Sequence, residues 1–140
     1  MYKSITNLTV RYAETDQMGI VHHSNYYVYF ETAREDFIRG AGISYKDMED
    51  GGIMMPIVET QCKYSEGARY ADKLIIETTI EELSPAKVAL QYTVIREEDS
   101  KVLSRGKTVQ AFVDKNSFRI INLKKKYPEI WGKLEGLLSK

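Results

Sequence analysis

The chain reads as an α+β protein: one curved antiparallel β-sheet wrapped around one long central helix, with a further helix at the C-terminus. Three observations predict this. Strand-like runs of period two follow one another through connections too short for parallel crossovers, which need a dozen residues or more. One long stretch, from Ser24 to about Gly40, has helical period instead. No linker, repeat or low-complexity segment divides the 140 residues. They are expected to form one domain, residues 1–140, large enough for a normal core.

Each element has its own signal. Near the start, Leu8, Val10 and Tyr12 alternate with Thr9 and Arg11, a strand pattern that Asp16-Gln-Met-Gly19 breaks as a loop. In the helix, Tyr26, Tyr29, Phe30, Ala33 and Phe37 share a face, while Glu31, Arg34, Glu35 and Arg39 form the opposite, solvated stripe. Ser24 suits its N-cap, and Gly40 or Gly42 its stop. Tyr27 and Val28 make the early turns apolar nearly all round, so this end is expected to be buried. After a polar connection, Ser44 to Gly52, four strands are expected. Val58, Thr60, Cys62 and Tyr64 share a face in the first. The others run over Lys73–Leu83, Val88–Val94 and Val102–Val113, the four forming an antiparallel meander. A brief strand, Phe118 to Ile121, follows. Pro128 opens a last helix whose Ile130, Trp131, Leu134, Leu137 and Leu138 line up on one side.

Charge and cysteine content narrow the function classes. Lys+Arg and Asp+Glu both number 20. With no strongly basic balance, nucleic acid is not the expected partner. Cys62 is the single cysteine, which fits a reducing, cytoplasmic setting, and it falls on an apolar strand face where an inert core thiol is the default. The opening residues carry no apolar run of the signal-peptide kind, and Ile53 to Val58 is far short of the about 20 apolar residues a membrane span needs. No membrane partner is expected.

The segment Tyr12-Ala-Glu-Thr-Asp16-Gln-Met-Gly19-Ile-Val21-His-His23-Ser-Asn-Tyr26 resembles the active-site signature of the 4-hydroxybenzoyl-CoA thioesterase branch of the hotdog superfamily. That signature is close to D-x-x-G-x-V-x-H-x-x-Y, with a Tyr four residues before the Asp. Asp16, Gly19, Val21, His23, Tyr26 and Tyr12 all match. Cys62-Lys-Tyr-Ser-Glu-Gly-Ala-Arg69-Tyr-Ala-Asp72 resembles the same family's second-strand exit and turn. His22 departs from the pattern, since many relatives carry an aromatic there. The resemblance implies the hotdog fold, a homo-oligomer (dimer or tetramer) with active sites between subunits, and hydrolysis of a small, medium or aromatic acyl-CoA.

Thioester hydrolysis needs an attacking group or an activated water, plus donors where charge develops on the carbonyl oxygen. A carboxylate in a loop that returns over a helix start can face the free N–H groups there, which the helix dipole makes suited to an oxyanion. By the resemblance, Asp16 is nucleophile or general base, both alternatives staying open. The His23 N–H is the oxyanion donor, and the His23 side chain with Tyr12 positions water or the carbonyl. Gly19, Val21, Tyr26, Tyr27 and Arg69 are the substrate-binding candidates, Arg69 as a cation for a CoA phosphate, where Lys63, Lys87, Arg105 and Lys107 also come into question. The default for an Asp ahead of a helix is a cap or turn residue, and for a surface Arg it is ordinary solvated charge. Adjacent His22 and His23 rarely converge on one ion, so no metal and no cofactor are expected. The competing functions are an acyl-carrier-protein thioesterase and a non-catalytic acyl-CoA-binding module.

Overall fold

In chain order the elements are β1 (Ser4–Thr9), a 3-10 turn (Tyr12–Glu14), α1 (Asn25–Gly40), α2 (Tyr45–Asp50), β2 (Ile53–Met54), β3 (Ile57–Tyr64), β4 (Lys73–Ser84), β5 (Lys87–Arg96), β6 (Lys101–Ala111), β7 (Val113–Asp114), α3 (Leu123–Lys126) and α4 (Pro128–Gly136). These come from a computed structural model, which describes residues 1–139. Five strands form the main sheet in the order β1-β4-β5-β6-β3, every neighbour antiparallel. β2 and β7 make a separate two-stranded pair.

The helical stripe read from the sequence is the core. Tyr26, Tyr29, Phe30, Ala33 and Phe37 are all buried, and α1 packs along the sheet. Phe30 stacks on Tyr92 of β5 with ring centroids 4.5 Å apart. It lies so close to β6 that a Cβ at Gly106 would stand 2.3 Å from its ring. Each fully buried side chain of this size contributes roughly 1.5–3 kcal/mol, which is what holds the helix against the sheet. Among the described residues no helix is long and apolar enough to cross a membrane.

Several expectations need correction. β1 ends at Thr9, and Tyr12 is not a strand residue; it opens the 3-10 turn and is exposed. Arg34 leaves the solvated stripe: it is buried and donates to the Tyr92 hydroxyl at 3.4 Å, which in turn pairs with Thr108 at 2.6 Å. Tyr27 and Val28 are exposed rather than buried. The connection from Ser44 to Gly52 contains α2, whose Asp47 N–H is capped by the Ser44 hydroxyl. Phe118 to Ile121 is not a strand but one isolated bridge, Val113 to Ile120. Leu138, beyond the end of α4, is exposed rather than sharing its buried side.

The meander holds for β4, β5 and β6 only. β3 crosses to the far edge and pairs with β6, which leaves both of its faces exposed in one chain apart from half-buried Cys62. Period-two alternation cannot tell which neighbour a strand will choose, because it describes faces and not edges.

Candidate functional site

The loop between β1 and α1 is a small hairpin tied to the start of the helix. Thr15 and Val21 form an antiparallel bridge, and the Asp16 N–H donates to the Ile20 carbonyl at 2.8 Å. Gly19, at φ +82°, turns the tip. Nothing lies within 4 Å of the Cβ an alanine would carry there, so it is the backbone conformation that calls for glycine. Behind the tip, the Glu14 carbonyl accepts from the His22 N–H at 2.9 Å and from the Asn25 side-chain amide at 2.8 Å. These two bonds lay the loop across the first turn of α1.

Glu14 is the anchor. Its carboxylate is buried and accepts from the Arg11 N–H at 2.8 Å, the Tyr29 hydroxyl at 2.9 Å and the Arg11 guanidinium at 3.1 Å. Burial opposes ionisation here, but these donors outweigh it and hold the carboxyl below its ordinary value. The same arrangement pushes the Tyr29 hydroxyl up, by burial first and by the Glu14 carboxylate second, so Tyr29 stays a donor.

The first turn of α1 is tight. Asn25, Tyr26 and Tyr27 donate to the carbonyls of His22, His23 and Ser24 at 2.9, 3.3 and 3.3 Å. Ser24 stands at the N-cap position but does not cap; its hydroxyl meets His22 Nδ1 at 2.8 Å. The His23 N–H has no protein acceptor among the described residues. Tyr64, at the end of β3, donates its hydroxyl to the His23 carbonyl at 3.2 Å and sets its ring edge-on to His23 and Tyr26. Burial and then the neighbouring Cys62 push the Tyr64 hydroxyl up, which keeps that donor protonated.

Between loop, helix start and strand end lies a cleft of about 210 Å³. Asp16, Val21, His23 and Tyr26 line it, four of the residues singled out from the sequence. Met18, Ile20, Tyr64, Ser65, Glu66 and Gly67 complete the wall. Asp16 is half-buried; one oxygen accepts from the Met18 N–H at 2.8 Å and the other has no partner among the described residues. Glu66 is the second carboxylate of the cleft, but it is already neutralised. Lys101 meets it at 3.0 Å and Arg96 pairs with it closely, and these hydrogen bonds, Lys101 first, hold its carboxyl low. Asp16 therefore offers the one carboxylate oxygen of the cleft not engaged by a donor among the described residues.

Four candidates stay outside this cleft in one chain. Tyr12 points outward and packs edge-on against Tyr70 at 5.6 Å, because the 3-10 turn that buries Glu14 rotates its neighbour to the surface. Tyr27, one position round α1 from Tyr26, is exposed and sits edge-on to Phe30 rather than lining the cleft. The Arg69 side chain is exposed, its backbone N–H bonded to Asp72; the cations beside the cleft are Arg96, held by Glu66, Asp72 and Asp99, and Lys101, paired with Glu66. Gly19 shapes the loop without lining the cavity. The wall formed by Tyr64 to Gly67 was missed as chemistry, although it falls inside the second segment, Cys62 to Asp72, that resembled the family.

The sequence profile of the thioesterase-like superfamily matches residues 10–130. A putative acyl-CoA thioesterase, YneP, of Bacillus subtilis is 34% identical over 129 residues, covering 92% of this chain and 93% of its own length. Among solved structures, a DHNA-CoA thioesterase from Staphylococcus aureus superposes with a TM-score of 0.90 at 33% identity, covering 99% of this chain and 95% of that one. A hypothetical protein, TT1821, from Thermus thermophilus gives 0.87 at 36% identity, with 96% and 98% covered.

Proposed function

The chain belongs to the thioesterase-like superfamily, has the hotdog fold and is a thioester hydrolase, and we propose that it cleaves a small, medium or aromatic acyl-CoA to the free acid and CoA at the cleft beside Asp16. The observation that carries this reading is the pairing of two unengaged groups around one cavity: a carboxylate oxygen of Asp16 and the N–H of His23. The thioester carbonyl would lie between them. Its oxygen would receive the His23 N–H and the positive end of the α1 dipole as charge develops. Asp16 would attack the carbonyl carbon, or take a proton from a water that does; in either case the C–S bond breaks and the thiolate of CoA leaves, and in the first case a water then cleaves the acyl–Asp16 anhydride to release the acid and restore the carboxylate. Tyr64 holds the His23 peptide in place for this, while Val21 and Tyr26 shape the apolar wall. Tyr12 and Arg69 take no part in this reading.

Acyl-CoA is favoured as substrate by the names of the Bacillus subtilis and Staphylococcus aureus relatives, an acyl-CoA thioesterase and a DHNA-CoA thioesterase. The residues themselves supply acid–base and oxyanion groups, and the reading calls for no cofactor or metal. The exposed β3 edge, together with exposed Tyr27 and Val28 of α1, supports a working unit of at least two copies.

The test is a panel of acyl-CoAs of graded length plus benzoyl and phenylacetyl thioesters, read by release of free thiol, with the same acyl groups on carrier protein. Asp16→Asn should lower turnover of whichever thioester is best by about 100-fold or more while binding persists. His23→Ala keeps the backbone donor and should lose less. Release from carrier protein far faster than from CoA would move the substrate to acyl carrier protein. Saturable binding of acyl-CoA without turnover by the parent would make the chain a binding module instead.

A further inference from the structure

The face of α1 that begins at the cleft ends on a cation whose charge nothing balances. Tyr26, Phe30 and Arg34 follow at intervals of four, so they stand one above the other. Tyr26 lines the cleft, Phe30 lies on Tyr92, and Arg34 is only 8% exposed. Its one hydrogen bond is the 3.4 Å contact with the Tyr92 hydroxyl, a neutral group that shares the burial without balancing the charge. Arg34 is in no ion pair among the described residues, and Glu31, one turn earlier, is exposed and out of pairing range. The Nε and Nη2 atoms of Arg34 have no partner among the described residues, yet neither is sealed off from solvent. Two further groups converge here. Gln110 is 2% exposed; its amide nitrogen is spent on the Met55 carbonyl at 3.1 Å, which turns Oε1 the other way, and that oxygen has no partner among the described residues. The Tyr45 hydroxyl, from the start of α2, lies next to Arg34 and Gln110 and makes no well-formed hydrogen bond to either. Burial pushes this hydroxyl up, so it stays a donor. Donors are in excess: four of the five guanidinium N–H groups and one phenol O–H stand against a single spare acceptor. A buried cation left unpaired is costly. The missing partner is an anion with more than one acceptor oxygen, and a carboxylate suits a guanidinium beside a phenol.

We propose that Arg34 and Tyr45 form the far end of the acyl site and receive a carboxylate carried by the acyl group, so that the preferred substrates are mono-CoA thioesters of medium-length dicarboxylic acids. This rests on the reading of the cleft given above and adds what lies at the other end of the acyl group. The spacing suits it. Arg34 is eight positions beyond Tyr26, about 12 Å along the helix axis. Side chains on a helix lean back toward its start, which shortens that gap to the reach of a medium acyl group. The way between is open in one chain: Tyr27 and Glu31 of α1 and Thr60 and Tyr64 of β3 are exposed, and Cys62 is half-buried. Thr60 stands directly opposite Thr108, whose hydroxyl meets that of Tyr92 at 2.6 Å, so this row of β3 runs from the cleft to the level of Arg34. A plain acyl chain would reach the same place and leave the cation unpaired, which is the source of the discrimination.

The test compares adipoyl-CoA with hexanoyl-CoA and suberoyl-CoA with octanoyl-CoA, pairs equal in carbon number, by kcat/KM from thiol release. The parent should favour the dicarboxylic member of the better pair by at least about 30-fold. Arg34→Met should bring that ratio to within about threefold, and Tyr45→Phe should lower it by about fivefold. Replacing an unpaired buried charge by an apolar side chain of similar length does not threaten the fold. Arg34→Lys, which keeps the charge without the planar fork, should retain more of the ratio than Arg34→Met and guards against a folding defect. A parent that treats both members of each pair alike, or prefers the uncharged ones, overturns the proposal. So does an Arg34→Met variant that slows both members equally, the mark of a structural role only. An Arg34→Met variant that keeps the ratio but weakens self-association in sedimentation overturns it too, by assigning the counter-anion to a second copy. If the parent cleaves no CoA thioester, calorimetric binding of the same four compounds to the parent and to Arg34→Met decides. A dicarboxylic preference that Arg34→Met removes then sustains the Arg34 site while the cleft reading falls, and no such preference ends both.

Discussion

Glu14 and Asp16 belong to two halves of one loop and are placed under opposite conditions. The first half is an anchor. There a buried carboxylate is surrounded by a backbone N–H, a guanidinium and a phenol, with its own carbonyl tied to His22 and Asn25. The second half is a tip, where a half-buried carboxylate spends one oxygen on the Met18 N–H and keeps the other for the cavity. The difference teaches how a short loop can be both rigid and reactive. Hydrogen-bond donors are concentrated where position must be held and withheld where chemistry is to happen.

The contrast can be broken most severely at the tip. Asp16→Asn is expected to lower kcat by about 100-fold or more, the low end for losing a positioned acid–base group, with the melting temperature close to the parent's. Steady-state kinetics beside thermal unfolding checks both halves of that statement, and an Asn variant with parental turnover would remove Asp16 from the chemistry. At the anchor the order of effects should reverse. Glu14→Ala strands the Arg11 N–H and the Tyr29 hydroxyl and should cost about 1–3 kcal/mol of stability in urea unfolding, with Tyr29→Phe costing about 1 kcal/mol.

Smaller effects sharpen the same comparison. Gly19→Ala puts a Cβ on a left-handed backbone with open space around it, so only conformational strain is incurred, about 1 kcal/mol. A larger loss would show that the tip is packed more tightly than its surroundings indicate. The smallest effect is in the pH dependence. The folded Glu14 carboxyl lies below its ordinary value of 4.5. Its contribution is therefore complete above the unfolded value and fades as the pH falls through the folded one. Unfolding free energies measured across that range should decline on acidification in the parent and decline less in Glu14→Gln.

Much of the fold was legible along the chain. The stripe Tyr26, Tyr29, Phe30, Ala33 and Phe37 is the buried face of α1, and the runs that became β4, β5 and β6 pair as hairpins through the short connections that predicted them. The loop tip at Gly19 was legible for the same local reason, since few residues besides glycine take that backbone conformation readily. Arg34 was not legible: its spacing puts it near a polar stripe, and only the Tyr92 hydroxyl arriving from β5 makes its burial tolerable. Of the candidate site, Asp16, Val21, His23 and Tyr26 came together, while Tyr12, Tyr27 and Arg69 did not. The local twist of a 3-10 turn and the rotation of one helix position decide which way a ring or a guanidinium points, and spacing alone does not carry that.

By itself, then, the sequence determined the central helix, the three consecutive antiparallel strands and the carboxylate-bearing turn ahead of the helix. Periodicity and turn chemistry are short-range, and each can be satisfied by a few neighbouring residues. Only the tertiary structure decided that β3 lies at the far edge against β6, that Tyr64 reaches back to the His23 carbonyl, and that Glu66 is neutralised while Asp16 is not. Those outcomes depend on groups 30 to 55 positions apart, such as Glu66 with Arg96 and Gln110 with Met55. Contacts of that kind form only when the whole sheet closes on the helix, which makes burial, rather than local preference, the deciding force.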